Sequence, residues 1–133
     1  MASVEDRLLS AGRALRTLQE VPQLGLSPVV ARDLSVLRFT YTFEALWKAC
    51  QAVLHETDAL TVNSPKSAIR YSRQVGIFAD AECEAALMMA NDRNVAAHVY
   101  NEAIAEQLAA RMAGHVALLE VWLRGLETRA ARP

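Results

Sequence analysis

An all-α fold is predicted by three observations. The 133 residues include 24 Ala and 17 Leu against only 5 Gly and 4 Pro, a strongly helix-forming mixture. Apolar residues recur at three- and four-residue intervals, and two Ser-Pro pairs stand where helices would start. A 53% hydrophobic, 22% charged composition excludes a disordered chain. At this length one core is expected, burying about two thirds of the unfolded chain's surface. Residues 1–133 are therefore read as a single domain of five helices in one bundle.

The first helix spans 3–20. Ser3 is its N-cap, Leu8, Gly12, Leu15 and Leu18 lie on one side, and Val21-Pro22 ends it, because proline restricts the residue before it. Ser27-Pro28 supplies the cap and first residue of the second helix. Its Leu34, Leu37, Phe39, Tyr41, Phe43, Ala45, Leu46, Trp47 and Val53 cover most of the helical wheel, which places it at the centre. Glu44 and Lys48 are one turn apart on it and read as a surface bridge. Glu56 to Asn63 is polar and turn-like. Ser64-Pro65 then opens a third helix that runs to about Val75, with Gly76 as C-cap candidate. Asp80 is the expected cap of the fourth, with Cys83, Leu87, Ala90 and Asn94 as its inward face. From Asn101 to Thr128, the spacing of Leu108, Met112, His115, Leu119, Trp122 and Leu126 alternates three and four, the seam of a helix facing another long helix.

A net charge of -1 removes the electrostatic footprint of a general nucleic-acid binder, so any RNA contact must be local. Lys66, Arg70 and Arg73 share a face of the third helix and are the best candidate for an RNA or acidic-partner contact, although such a face is most often plain solvated surface. Cys50 and Cys83 lack CxxC spacing and read as reduced core thiols of a cytosolic protein. No segment approaches the roughly 20 apolar residues needed to cross a bilayer, and MASVEDRLLS has no signal-peptide pattern. A cytoplasmic location without membrane contact is expected. Without an HExxH, a Cys/His cluster or a phosphate-cradling glycine loop, neither a dedicated metal site nor a bound cofactor is expected.

Chemistry concentrates in Asn91-Asp92-Arg93-Asn94-Val95-Ala96-Ala97-His98-Val99-Tyr100-Asn101. Arg93 and His98 are five residues apart, about 140° around an ideal helix, so a helix end or bend near Ala97 is expected to turn His98 back toward Arg93. Asn101 fits as cap of the next helix. An imidazole that titrates near neutrality beside a permanent guanidinium is a workable pair for cleaving a phosphodiester without metal: His98 moves protons and Arg93 stabilises the charge on phosphorus. Asn94 would position substrate or orient His98, and Tyr100 offers a phenol that binds phosphate or accepts a transferred group. The plainer reading is that Arg93 and His98 are helix-terminal dipole partners.

Arg93-Asn94-Val95-Ala96-Ala97-His98-Val99-Tyr100 resembles the RX4HXY motif of HEPN-domain proteins, specifically the nucleotidyltransferase substrate-binding or HepT-like toxin group. Arg38 to Lys48 resembles that group's second-helix signature and Ser64 to Arg70 its third-helix start. The resemblance implies an up-and-down bundle that dimerises through the motif cleft, bringing two copies of Arg93 and His98 together. It further implies a metal-independent ribonuclease toxin with Arg93 and His98 catalytic. The implied partner is a minimal nucleotidyltransferase (MNT) antitoxin, which uses ATP to place AMP on Tyr100. The other branch of the group implies a non-catalytic substrate-binding subunit of a nucleotidyltransferase.

Overall fold

The computed structural model describes residues 2–132, so the two terminal residues of the expected 1–133 domain lie outside it. Five helices follow one another: α1 Val4–Gln19, α2 Pro28–Asp58, α3 Pro65–Gln74, α4 Asp80–His98 and α5 Glu102–Ala130, with a single 3-10 turn at Val21–Gln23 after α1. Each start has a local cause. The Ser3 hydroxyl accepts from the Asp6 N–H at 3.0 Å while the Asp6 carboxylate accepts from the Ser3 N–H. Ser64 and Ser67 cap α3 in the same reciprocal way. Ser27 caps α2, and the Asn101 side chain accepts from the Ile104 N–H at 3.0 Å to open α5. After α3, Gly76 takes a φ of +85°, a left-handed turn that costs glycine little.

Three local expectations are corrected. Asp80 is not the cap of α4: Ala79 holds that position, its N–H satisfied by the Glu82 carboxylate at 2.8 Å, and Asp80 begins the helix and pairs with Arg73 at 3.0 Å. The inward face of α4 is Cys83, Ala86, Met89, Ala90 and Asp92; Leu87 is half-buried and Asn94 exposed. Finally, α2 continues through the polar Glu56-Thr57-Asp58 and stops only where Ala59 turns left-handed, with φ +55°. Arg129 of α5 holds this last turn, its Nε and Nη2 gripping both oxygens of Asp58.

That grip keeps the Asp58 carboxyl down at about 2, against an ordinary 3.8, because Arg129 and Thr57 donate to its charged form. A pKa lowered by folding adds stability above the unfolded value and loses it as pH falls through the folded one. Asp58→Asn is thus expected to lower the urea midpoint at neutral pH, with the gap to wild type closing between about pH 4 and pH 2. A gap that stays constant over that range would show that the carboxylate charge is not the cause.

The central position expected for α2 is observed, since it packs against each of the other four helices. Phe39, Phe43 and Leu46 are fully buried beneath Leu119, Trp122 and Leu126 of α5, whose expected seam faces inward along its whole length. The Trp122 indole N–H donates to the Ser72 hydroxyl at 2.9 Å, and that hydroxyl lies 3.3 Å from the Cys50 sulfur. Both cysteines are free and buried, and burial raises the Cys50 thiol to about 11, outside nucleophilic use. Not all of α2 is covered: Leu37 and Tyr41, expected on the wheel's apolar perimeter, are exposed. No helix is long and apolar enough to cross a membrane among the described residues.

Candidate functional site around the end of α4

The last two turns of α4 and the connector Val99–Asn101 carry Arg93, Asn94, His98 and Tyr100. Helix α4 runs one residue beyond the expected end, through His98, and only at Val99 does the backbone become extended. His98 is therefore not turned back toward Arg93. It stays on the exposed face of α4, one turn from Asn94 and Val95, and makes no hydrogen bond among the described residues. Asn94 is exposed as well and accepts from Arg93 Nη1 at 3.1 Å.

Arg93 leans the other way. Its guanidinium lies over the Phe43 ring, 5.5 Å from the centroid, and Nη2 donates to Glu44 on α2. Its Nε is buried without a partner. Within one chain no hydrogen bond joins the guanidinium to the imidazole among the described residues; Arg93 is engaged by Asn94, Glu44 and Phe43 instead.

Glu44, read from sequence as half of a surface bridge, is the hub of this site. Besides Arg93 it takes the Trp47 indole N–H at 2.9 Å, and its second oxygen lies 3.3 Å from Lys48 Nζ. Partial burial would push its carboxyl up; the donors Trp47 and Lys48, with the charge of Arg93, outweigh that and hold it below the usual carboxylate range. The only sequence signal was a Glu–Lys pair on a helix otherwise too apolar to be a surface.

Two further groups brace the same helix end. Asp92, next to Arg93, is buried; it accepts from Arg111 at 2.8 Å through each oxygen, and its Oδ2 lies 2.7 Å from His115 Nε2. Burial raises the Asp92 carboxyl, but Arg111 and His115 more than offset this. His115, expected as a core or interface histidine, is a core one, stacked 5.3 Å from Phe39. On the opposite side, the Tyr100 hydroxyl donates to Asp33 Oδ1 at 2.6 Å. Burial, and then the Asp33 carboxylate, push the phenol's pKa up, while the Tyr100 and Arg32 donors bring that of Asp33 down.

The basic face sits apart from these residues. Lys66 is half-buried, Arg70 exposed and Arg73 tied to Asp80, and no hydrogen bond or ion pair links any of them to the motif among the described residues. Arg70 and Arg73 line a shallow groove with Ser67, Tyr71 and Gln74.

With this geometry in place, a family model described as nucleotidyltransferase substrate binding protein like matches residues 6–128, α1 through α5. The chain belongs to the nucleotidyltransferase substrate-binding family. A crystal structure of a Thermus thermophilus protein is 41% identical, with a TM-score of 0.78 over 92% of this chain and 99% of that one. Two solved structures at 15% identity share the fold. One is a toxin–antitoxin MntA–HpeT complex with two Asp-to-Glu substitutions, with a TM-score of 0.73 over 94% of this chain and 97% of that one. The other is a tri-AMPylated Shewanella oneidensis HEPN toxin in complex with an MNT antitoxin, with a TM-score of 0.74 over 96% and 99%. No curated protein matches. This family member thus has the all-helical HEPN fold, with the RX4HXY segment closing its fourth helix.

Proposed function

We propose that this chain is a ribonuclease toxin of a HEPN–MNT pair, acting without metal and silenced when its partner nucleotidyltransferase transfers AMP to Tyr100. The observation that carries the reading is the complete Arg93, Asn94, His98, Tyr100 set on the exposed end of α4, in a chain with the fold of HEPN toxins. His98 is free to move protons. It would take the proton of the RNA's own 2′-OH as that oxygen attacks phosphorus, or return one to the departing 5′ oxygen, while Arg93 stabilises the negative charge developing on phosphorus.

A homodimer supports this chemistry where a monomer does not. The face of α4 that bears His98 also exposes Met88 and Val95, and Val99 follows it, apolar groups that a second copy would cover. Two motif ends in one cleft would bring the Arg93 of one protomer to the His98 of its partner. RNA would then enter along this cleft, with Lys66, Arg70 and Arg73 as an outlying contact for RNA or for the transferase. A cytoplasmic location follows from this role.

That no hydrogen bond joins Arg93 to His98 within one chain among the described residues favours a second reading, a substrate-binding subunit that docks a nucleotidyltransferase and cuts nothing. Expression of the chain alone decides between them. Growth arrest relieved by co-expressing the partner transferase is expected, with a mass gain of one or more AMP units that Tyr100→Phe removes. Soluble, harmless expression would overturn the toxin reading and favour the subunit one.

A further inference from the structure

We propose that Asp33 is the catalytic proton acceptor for nucleotidyl transfer to Tyr100, with Arg32 as the residue that positions it. This rests on the reading of Tyr100 as the AMP acceptor.

A phenol is almost entirely protonated at neutral pH and attacks phosphorus poorly in that form. Either the partner enzyme supplies a base or this chain carries its own. Asp33, 67 residues earlier in sequence, already accepts the Tyr100 hydroxyl proton at 2.6 Å, within the reach a general base requires. The other two tyrosines are not so placed: Tyr41 meets the Thr17 hydroxyl, and Tyr71 bonds no carboxylate among the described residues. Tyr100 is also 45% exposed, at the surface where a partner enzyme can reach it.

The carboxylate is held in place. Arg32 Nε donates to the same Asp33 oxygen at 3.1 Å. Arg32 is itself fixed by Glu102 at 2.6 Å and Glu106 at 2.8 Å, both in the first turns of α5, and its side chain is only 9% exposed. Asp33 thus meets the phenol directly, while Glu102 and Glu106 act on Arg32 behind it. Burial and then the Asp33 carboxylate disfavour a free phenolate before attack, so removal of the proton during attack is the workable course.

The step balances. Tyr100 Oη bonds to the α-phosphorus of a nucleoside triphosphate, the bond from that phosphorus to the bridging oxygen breaks, and pyrophosphate departs with its electron pair. The phenolic proton passes to Asp33 Oδ1 and then to water.

The test is single-turnover transfer to the full chain by its partner nucleotidyltransferase with ATP and magnesium, read by intact mass between about pH 6 and 9. The Arg32–Glu102 pairing favours the charged form of both groups, and the difference between the wild-type and variant profiles, in which every other titrating group is shared, reports on Asp33. Wild type is expected to show a nearly flat rate. Asp33→Asn, isosteric at a half-exposed side chain, is expected to fold normally, to lose about 100-fold or more at pH 7, and to recover roughly tenfold per pH unit as solvent ionises the phenol. Unchanged transfer, or a loss with the wild-type pH profile, would reduce Asp33 to a staple and overturn the assignment. No adduct on wild type, or one that persists in Tyr100→Phe, would instead overturn the acceptor reading and this inference with it.

Discussion

His98→Ala is expected to abolish growth arrest and to lower RNA cleavage by about 10²- to 10⁴-fold, the usual contribution of a positioned acid–base group. Helix content and thermal midpoint should not change. The imidazole is exposed at the last residue of α4 and makes no hydrogen bond among the described residues, so the folded state loses nothing measurable with it. That asymmetry makes the variant informative: a large kinetic loss at constant stability, with dimer assembly and RNA binding unchanged, assigns the imidazole to the chemistry. Arg93 offers no such clean test, since it also covers Phe43 and neutralises Glu44. Cleavage that survives in His98→Ala would remove the acid–base assignment.

Trp122→Ala should show the opposite pattern, a loss of stability of about 3–5 kcal/mol, measured by urea unfolding. The side chain is fully buried, tilted against Phe43 and Phe78 at ring distances of 6.1 and 5.7 Å, and joined to α3 through Ser72. Against a typical total of about 5–15 kcal/mol, the loss approaches the whole stability of the domain. Trp122→Phe should cost less, because most of the volume stays and only the indole bond goes. A change below about 1 kcal/mol in the alanine variant would mean that α5 does not close the core as described.

Where local chemistry decides, the fold could be read directly. Serine caps, Ser-Pro starts and the Leu108-to-Leu126 seam set the starts of the helices to within a residue, since caps act over three residues and a seam repeats itself. The misreadings share one cause. The last turn of α2 looked like a loop because its polar residues are held by Arg129, 71 residues away from Asp58. The expected Glu44–Lys48 bridge is present at 3.3 Å, but that Glu44 also holds Arg93 could not be read because Arg93 lies 49 residues on. Asp33 carried no signal at all; only folding brings it to Tyr100. The motif residues themselves were legible as a concentration of polar groups, but the helix end was not: α4 runs through His98 instead of breaking near Ala97.

The joint between α4 and α5 is three residues long, at most about 10 Å of chain, and it links helices of 19 and 29 residues. So short a hinge leaves no slack. Tyr100 cannot swing out on a flexible tether to find a distant pocket, and it stands as a fixed peg between two rods. An enzyme that modifies it must fit its own mouth over that peg, so the speed of the encounter would be set by how well two rigid surfaces dock rather than by any loop opening.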